Sequence, residues 1–367
     1  MKQASRSRLW LGVLSISVLV ALPASAEDWK LDGKLLGELK TGRPVGSLNP
    51  DDYKKASDVS GIACDRDEGF PRLCLIVDDE SQGTQLLMLG TNGGEAGSFI
   101  PLVRDVFQRP DGKMKPLDFD GEAVAYADGA FYVSGSHGRP RHESSKSAKD
   151  QAEQNAKAQA SRQLFRVIFS PNSVDPSATL TGPAPAIAET ARLNEAIAAH
   201  AELSDASNAP LAEQGLTIEG IAVRDGQLYA GLRAPVIDDA AFMLAVPLDV
   251  LFGDKPLTSR LIKLKLGLDS RGNARGIRDL TPFRDGFLLI AGPAIDPGDG
   301  AVAAGDYALF YVVGDQPTPL LDLPAYGKRV KPEALLPLGG TGEQVEALLL
   351  FDGANEGGGR IVEFKLP

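Results

Sequence analysis

The 367-residue chain has little cysteine, little histidine and no basic excess: two Cys, three His, and 38 Lys and Arg against 49 Asp and Glu, a formal net charge of −11. That balance excludes DNA, RNA or an anionic membrane surface as the main partner, because each demands a basic face. Beyond residue 26 no apolar run is long enough to cross a bilayer. Cys64 and Cys74, with nine residues between them and no nearby His, make a poor zinc site, and a redox pair would more often use C-x-x-C. A nucleophile elbow, an H-E-x-x-H helix and a P-loop are all missing, so no enzyme class gains support from a motif. The glycine tracts Gly339-Gly340-Thr341-Gly342 and Gly357 to Gly359 have no helix after them and are read as hairpin turns rather than phosphate cradles.

The first 26 residues have the plan of a secretory signal peptide. Lys2, Arg6 and Arg8 precede an apolar stretch from Leu9 to Leu22, then Ala24-Ser25-Ala26 offers a cleavage site before Glu27. The apolar stretch is too short for a membrane span. Cleavage after Ala26 would give a soluble periplasmic or secreted product and remove three positive charges, taking the formal balance from −11 to −14. In an oxidising compartment Cys64 and Cys74 are expected to close as a structural disulfide across a hairpin that turns through Asp65 to Arg72.

What the chain does have is repetition. An acidic residue opens a short apolar run, a turn follows, and a second apolar run returns: Glu122-Ala-Val-Ala-Tyr126 with Phe131-Tyr-Val133, and Glu219-Gly-Ile-Ala-Val223 with Leu228-Tyr-Ala230. Fainter copies start at Asp279 and Glu333, and the earliest starts at Ser60. The steps are 62, 97, 60 and 54 residues. Modules of this length suit four-stranded propeller blades and are too long for solenoid coils. Two insertions explain the long step: a charged Ala/Gln/Lys-rich stretch near 140–162, and a stretch near 187–213 whose Ala and Leu content favours helix. The expected fold is therefore an all-β, five-bladed propeller with two mostly helical insertions in one domain spanning 27–367. A six-bladed ring, using the linker after Ser170 as a cramped extra blade, is the alternative. The last module is one strand short, and Trp29 to Gly37 is expected to fill the gap and remove the free edges.

The stretch Leu216-Thr-Ile-Glu-Gly220 to Leu232-Arg-Ala-Pro235, preceded by Glu122-Ala-Val-Ala-Tyr126 and Gly135-Ser-His-Gly-Arg139, resembles the bacterial family called domain of unknown function 3616. The resemblance covers most of the chain after residue 26. That family is similar in repeat style to esterase-like and phytase-like propellers, in which an Asp-x-Glu-Gly phrase opens blades. Here Asp118-Phe-Asp120-Gly comes closest, while Leu216-Thr-Ile-Glu219 lacks the first acid. The family brings no established activity with it.

In a propeller the start of each first strand and the end of each second strand share one mouth of the channel. Glu122, Glu219, Asp279 and Glu333 are expected there, faced by Ser136, His137, Arg139 and Arg233, with Arg278 alongside. Converging carboxylates of this kind can hold calcium, which wants six to eight oxygens, so Glu122, Glu219, Asp279 and Glu333 are candidate ligands. They can equally pair with Arg139, Arg233 or Arg278, or accept backbone N–H bonds and lock the ring, which is the commoner use of a buried charge. His137 could act as a general base or help Arg139, Arg141 and Arg233 seat an anion. His200 is expected to be exposed on the inserted helix. The leading function is an exported binding or scaffold protein, monomeric, for an unidentified small molecule or protein. A calcium-assisted phosphoester or ester hydrolase is the alternative, and a platform using the charged segment Glu143 to Ala160 is a third.

Overall fold

The computed structural model describes residues 27–141 and 150–367. The segment read as a signal peptide, and His142, lie outside the described residues.

Five sheets of mainly antiparallel strands stand around a common axis, as the repeat predicts. Their inner strands are Val59–Cys64, Gly121–Ala127, Thr217–Arg224, Arg275–Phe283 and Lys331–Thr341, each touching the next and the last touching the first. The second strands, Arg72–Asp78, Ala130–Gly135, Gln227–Ile237, Gly286–Pro293 and Gln344–Asp352, return antiparallel to them. Inner and second strands are rich in Val, Ile, Leu and Ala and are buried on both faces, because each blade packs against two neighbours. Outer strands such as Arg260–Leu264 alternate exposed and buried residues, since only one side meets protein. The core is correspondingly divided into five larger apolar clusters, one for each interface between blades.

No sixth blade forms among the described residues. After Ser170 the chain makes only an isolated bridge, Val174 to Leu180, and lies along the outer strand of blade one, where Ser98 N–H donates to the Ala178 carbonyl at 3.0 Å. The fourth strand of blade two is Ala186–Thr190, so the helical excursion begins after it, with Arg192–Ala198 and Ala201–Ser204. Leu193, Ala196, Ile197 and Leu203 anchor those helices in the core between blades two and three. The other helix, Gln151–Ser161, buries Gln154, Ala158 and Ala160 against the propeller. It is a packed element and not a free charged arm.

Ring closure differs in detail from the expectation. Glu27–Asp28 pairs with Arg360 and Ile361 to complete blade five. The segment expected there, from Trp29 on, instead crosses to blade one, where Lys30–Asp32 runs parallel to Gly93, Gly94 and Glu95. Trp29 sits at the crossing. Its N–H donates to the Gly359 carbonyl at 3.1 Å, and its ring lies so close to Gly94 and Gly359 that a Cβ on either would come within 2.6 and 2.8 Å of it. One indole thus fills the seam between the first and last blades. Cys64 and Cys74 face each other in register on adjacent strands of blade one and are joined as a disulfide, as expected.

Trp29→Ala is expected to lower stability by about 3–5 kcal/mol, the range for removing a buried aromatic. Urea denaturation of both proteins measures it; a loss below about 1 kcal/mol would show that the seam does not depend on this ring.

Candidate functional site

Each inner strand carries one extra residue at the same place. Its register against the second strand slips at Ser60, Glu122, Glu219, Arg278 and Glu333. A bulge of this kind re-aims a side chain and leaves its residue outside the ladder. Repeated five times around the axis, it sets five side chains in a ring at one mouth of the channel. This corrects the repeat alignment in blade four: the ring position is held by Arg278, not by Asp279. Asp279 occupies the next position, filled elsewhere by Gly61, Ala123, Gly220 and Ala334. Those residues are small because the neighbouring inner strand is close; a Cβ on Gly61 would lie 2.9 Å from the Cα of Ala123.

Asp279 uses that closeness as a fastener. One carboxyl oxygen accepts the N–H of Leu280 at 2.7 Å and the other that of Leu335 in blade five at 2.6 Å. Burial pushes its pKa up to about 8, and the two amide donors offset this only in part.

Arg278 balances the ring from within. Fully buried, it pairs through Nε with Glu219 Oε2 at 2.9 Å and through Nη2 with Glu333. Arg233, from the second strand of blade three, takes the other oxygen of Glu219 at 2.7 Å, the Ala294 carbonyl at 2.9 Å and Asp296 at 2.7 Å. Burial opposes the charge on Arg233, but Glu219 and Asp296 outweigh it and hold the guanidinium firmly protonated. Asp296 also meets Arg141 at 3.2 Å and Lys331 at 3.4 Å. Against the effect of burial, Arg233, Arg278, Lys331 and Arg141 keep its carboxyl far below the usual range. Lys331 is shared with Asp352.

The blade-two side of the same mouth has no such compensation. Asp79, which follows the second strand of blade one, Asp120 and Glu122 place carboxylate oxygens within 4.8 Å of one another. The Ser136 hydroxyl donates to Asp120 and accepts the Gly138 N–H at 3.1 Å. Oδ1 of Asp79 is buried without a hydrogen-bond partner. Glu122 is only 8% exposed and has neither a hydrogen bond nor an ion pair among the described residues. Burial raises the pKa of all three and neighbouring acids raise them further, Glu219 acting on Asp120 and Glu122; the Ser136 bond to Asp120 and the more distant Arg278 and Arg233 near Glu122 offset this only in part.

These three acids line a cavity of about 240 Å³, together with Ser136, Arg139, Arg141, Glu219, Arg233, Lys331 and Glu333. Arg139 reaches helix Gln151–Ser161 through Asn155 at 2.9 Å. The structure therefore brings together Glu122, Ser136, Arg139, Glu219, Arg233, Arg278 and Glu333. Glu219 and Glu333 are committed to arginines and Asp279 to backbone amides, so the candidate calcium set of Glu122, Glu219, Asp279 and Glu333 does not assemble. His137 is not at the mouth. It is fully buried, holds a left-handed φ of 57° and does not line the cavity. Burial, with Arg162 nearby, lowers its pKa to about 3, so it carries no charge at neutral pH. His200 is bonded to Ser259 at 2.8 Å.

Sequence reasoning missed Asp296. It lies just past the second strand of blade four, but the position that matches Asp79, Ser136 and Arg233 in register is Gly292, so the repeat carries no signal for it. A larger cavity of about 450 Å³ opens at the other end of the channel, lined by Arg66, Arg72, Arg224 and Arg284. Those guanidiniums are already engaged: Arg72 with carbonyls of Gly69 and Pro337 at 2.8 Å, Arg224 with Gly286 at 3.1 Å, Arg284 with Gly342, and Arg66 with Asp65 at 3.0 Å.

Arg278→Met should cost about 3–5 kcal/mol, since it strands Glu333 and half of Glu219 in a buried setting. Adding Glu333→Gln should recover part of the loss; a double variant no more stable than the single one in urea would contradict the pairing. Asp279 gives a pH signature. It ionises near 3.8 when unfolded and about 8 when folded, so between those values the folded state holds one more proton and stability falls as pH rises. The loss is complete once pH has passed about 8. Urea midpoints at pH 5, 7 and 9 should decline less steeply in Asp279→Asn than in the parent; parallel declines would disprove the assignment.

Comparison with solved structures returns several proteins at low identity. The WD40 propeller domain of Doa1 is 11% identical over 85% of this chain and 70% of its own, with a TM-score of 0.29. RS223 β-xylosidase is 11% identical over 85% and 93%, with a TM-score of 0.36. A glucose dehydrogenase, described as a putative oxidoreductase from Thermus thermophilus, is 14% identical over 92% and 99%, also at 0.36. At such scores the likeness carries nothing about activity. No curated protein matches the chain. Residues 71–362 do match the family described as protein of unknown function, DUF3616, and the chain, sharing with it three whole blades and most of the other two, belongs to that family.

Proposed function

We propose that this protein is an exported, monomeric ligand-binding propeller whose site is the 240 Å³ cavity at the acid-lined mouth. The observation that carries the reading is the uneven charge balance there: Glu219, Asp296 and Glu333 are matched by Arg233, Arg278 and Lys331, whereas Asp79 and Glu122 face the same cavity unmatched. Charges buried without partners are costly unless something binds them. Arg141 and Lys331 lie on the same lining, where Asp296 holds both and Asp352 also holds Lys331. The N-terminal leader pattern and the Cys64–Cys74 disulfide support export. Among the described residues no helix is long and apolar enough to cross a membrane.

A hydrolase would need a nucleophile and base in hydrogen-bond reach and a free guanidinium for the phosphate. Among the described residues no histidine lines the cavity, and Arg233 and Arg278 are bound to carboxylates, so binding is the better-supported function. The test is a melting screen with sugar acids, phosphorylated sugars and amino acids, each with calcium and with chelator. At least one compound should raise the melting temperature of the parent by several degrees and leave Glu122→Gln unmoved. No response to any compound in either condition would refute the reading.

A further inference from the structure

From the geometry of the blade-two side of the mouth we infer that Asp79, Asp120 and Glu122 form a binding site for one hard divalent cation of the calcium class. The inference rests on the mouth being the binding site and names its ligand chemistry. Three carboxylates, one following the second strand of blade one and two from the start of blade two's inner strand, converge with oxygens within 4.8 Å of one another. Among the described residues no basic side chain lies within ion-pair distance of them, although four serve the acids on the other side. Two independent features point to a ligand. Glu122 is more than nine-tenths buried, lines the cavity and has no partner among the described residues. Asp79 Oδ1 is likewise buried and unbonded.

The donor set fixes the class of ion. All three side chains offer oxygen, and neither histidine nor cysteine lines the cavity, which suits calcium or magnesium rather than zinc or copper. The Ser136 hydroxyl, bonded to Asp120, orients that carboxylate as a neighbouring hydrogen bond commonly does for a metal ligand. Calcium takes six to eight oxygens, so three carboxylates leave coordination positions for water or for an oxygen-bearing ligand. An anion completing the shell would have Arg141 and Lys331 on the same cavity lining. The calcium set expected from sequence, Glu122, Glu219, Asp279 and Glu333, shares only Glu122 with this one.

Isothermal titration of the chelator-treated mature protein with calcium chloride and magnesium chloride tests the site. One cation per chain is expected, with affinity reduced at least tenfold in Asp79→Asn and in Glu122→Gln and retained in Arg66→Ala, at the other end of the channel. A melting measurement in chelator guards against misfolded variants. Relief of repulsion should make Glu122→Gln melt at or above the parent temperature, and calcium should then stabilise the parent alone. Absence of binding at millimolar cation, equal affinity in parent and both acid variants, or a lower melting temperature for Glu122→Gln in chelator would each overturn the inference. Organic ligands that stabilise the parent equally well in chelator would overturn it too while leaving the broader binding reading intact. Cation binding without any organic response would support it and remove that reading.

Discussion

The balance of charge around a ring of five bulges governs this molecule. Closing five blades on one axis forces their inner strands together, and the extra residue in each is turned into a space shared by all. Three of those five residues are glutamates, Glu122, Glu219 and Glu333, and a ring of carboxylates at such spacing repels itself. Blade four breaks the pattern with Arg278, which serves Glu219 and Glu333 together. Arg233 and Asp296 extend this into a network reaching Arg141 and Lys331. The network stops short of Glu122. One molecule therefore contains, side by side, a compensated half that fastens blades and an uncompensated half that faces a cavity.

The same closeness explains how the blades are joined beneath the mouth. Just after each bulge the backbones nearly touch, and small residues fill the gap in four blades. In the fifth case Asp279 reaches across to the amide of Leu335, replacing van der Waals contact with a hydrogen bond between blades. At the opposite seam, Trp29 bridges blades five and one through pairings on either side of it. Closure is thus distributed: a polar fastener where the chain runs on from blade four to blade five, and an aromatic one where its two ends meet.

The period of the repeat was enough to read a propeller and the order of strands, with five blades expected and six as the alternative, because apolar runs alternating with turns leave few other architectures. Finer features were hidden by physics that does not show in a linear pattern. A bulge shifts register by one residue, so Asp279 looked like a ring acid when Arg278 was the ring residue. His137 follows Ser136 in sequence, but its side chain is fully buried and takes no part in the cavity lining. Trp29 and Lys30 resemble a closing strand, yet Glu27–Asp28 makes that pairing, since glycines at 94 and 359 leave a slot that only a large ring fills. The acids were legible as a set; which of them are paired depended on guanidiniums brought in from other blades.

A cation site in the uncompensated half of the mouth is the central claim. Crystals of the mature protein soaked with manganese and measured at its absorption edge address it most directly. One anomalous peak is expected between Asp79, Asp120 and Glu122, lost in Glu122→Gln. A clear electron-density map with no peak there, or a peak that persists in that variant, would contradict it.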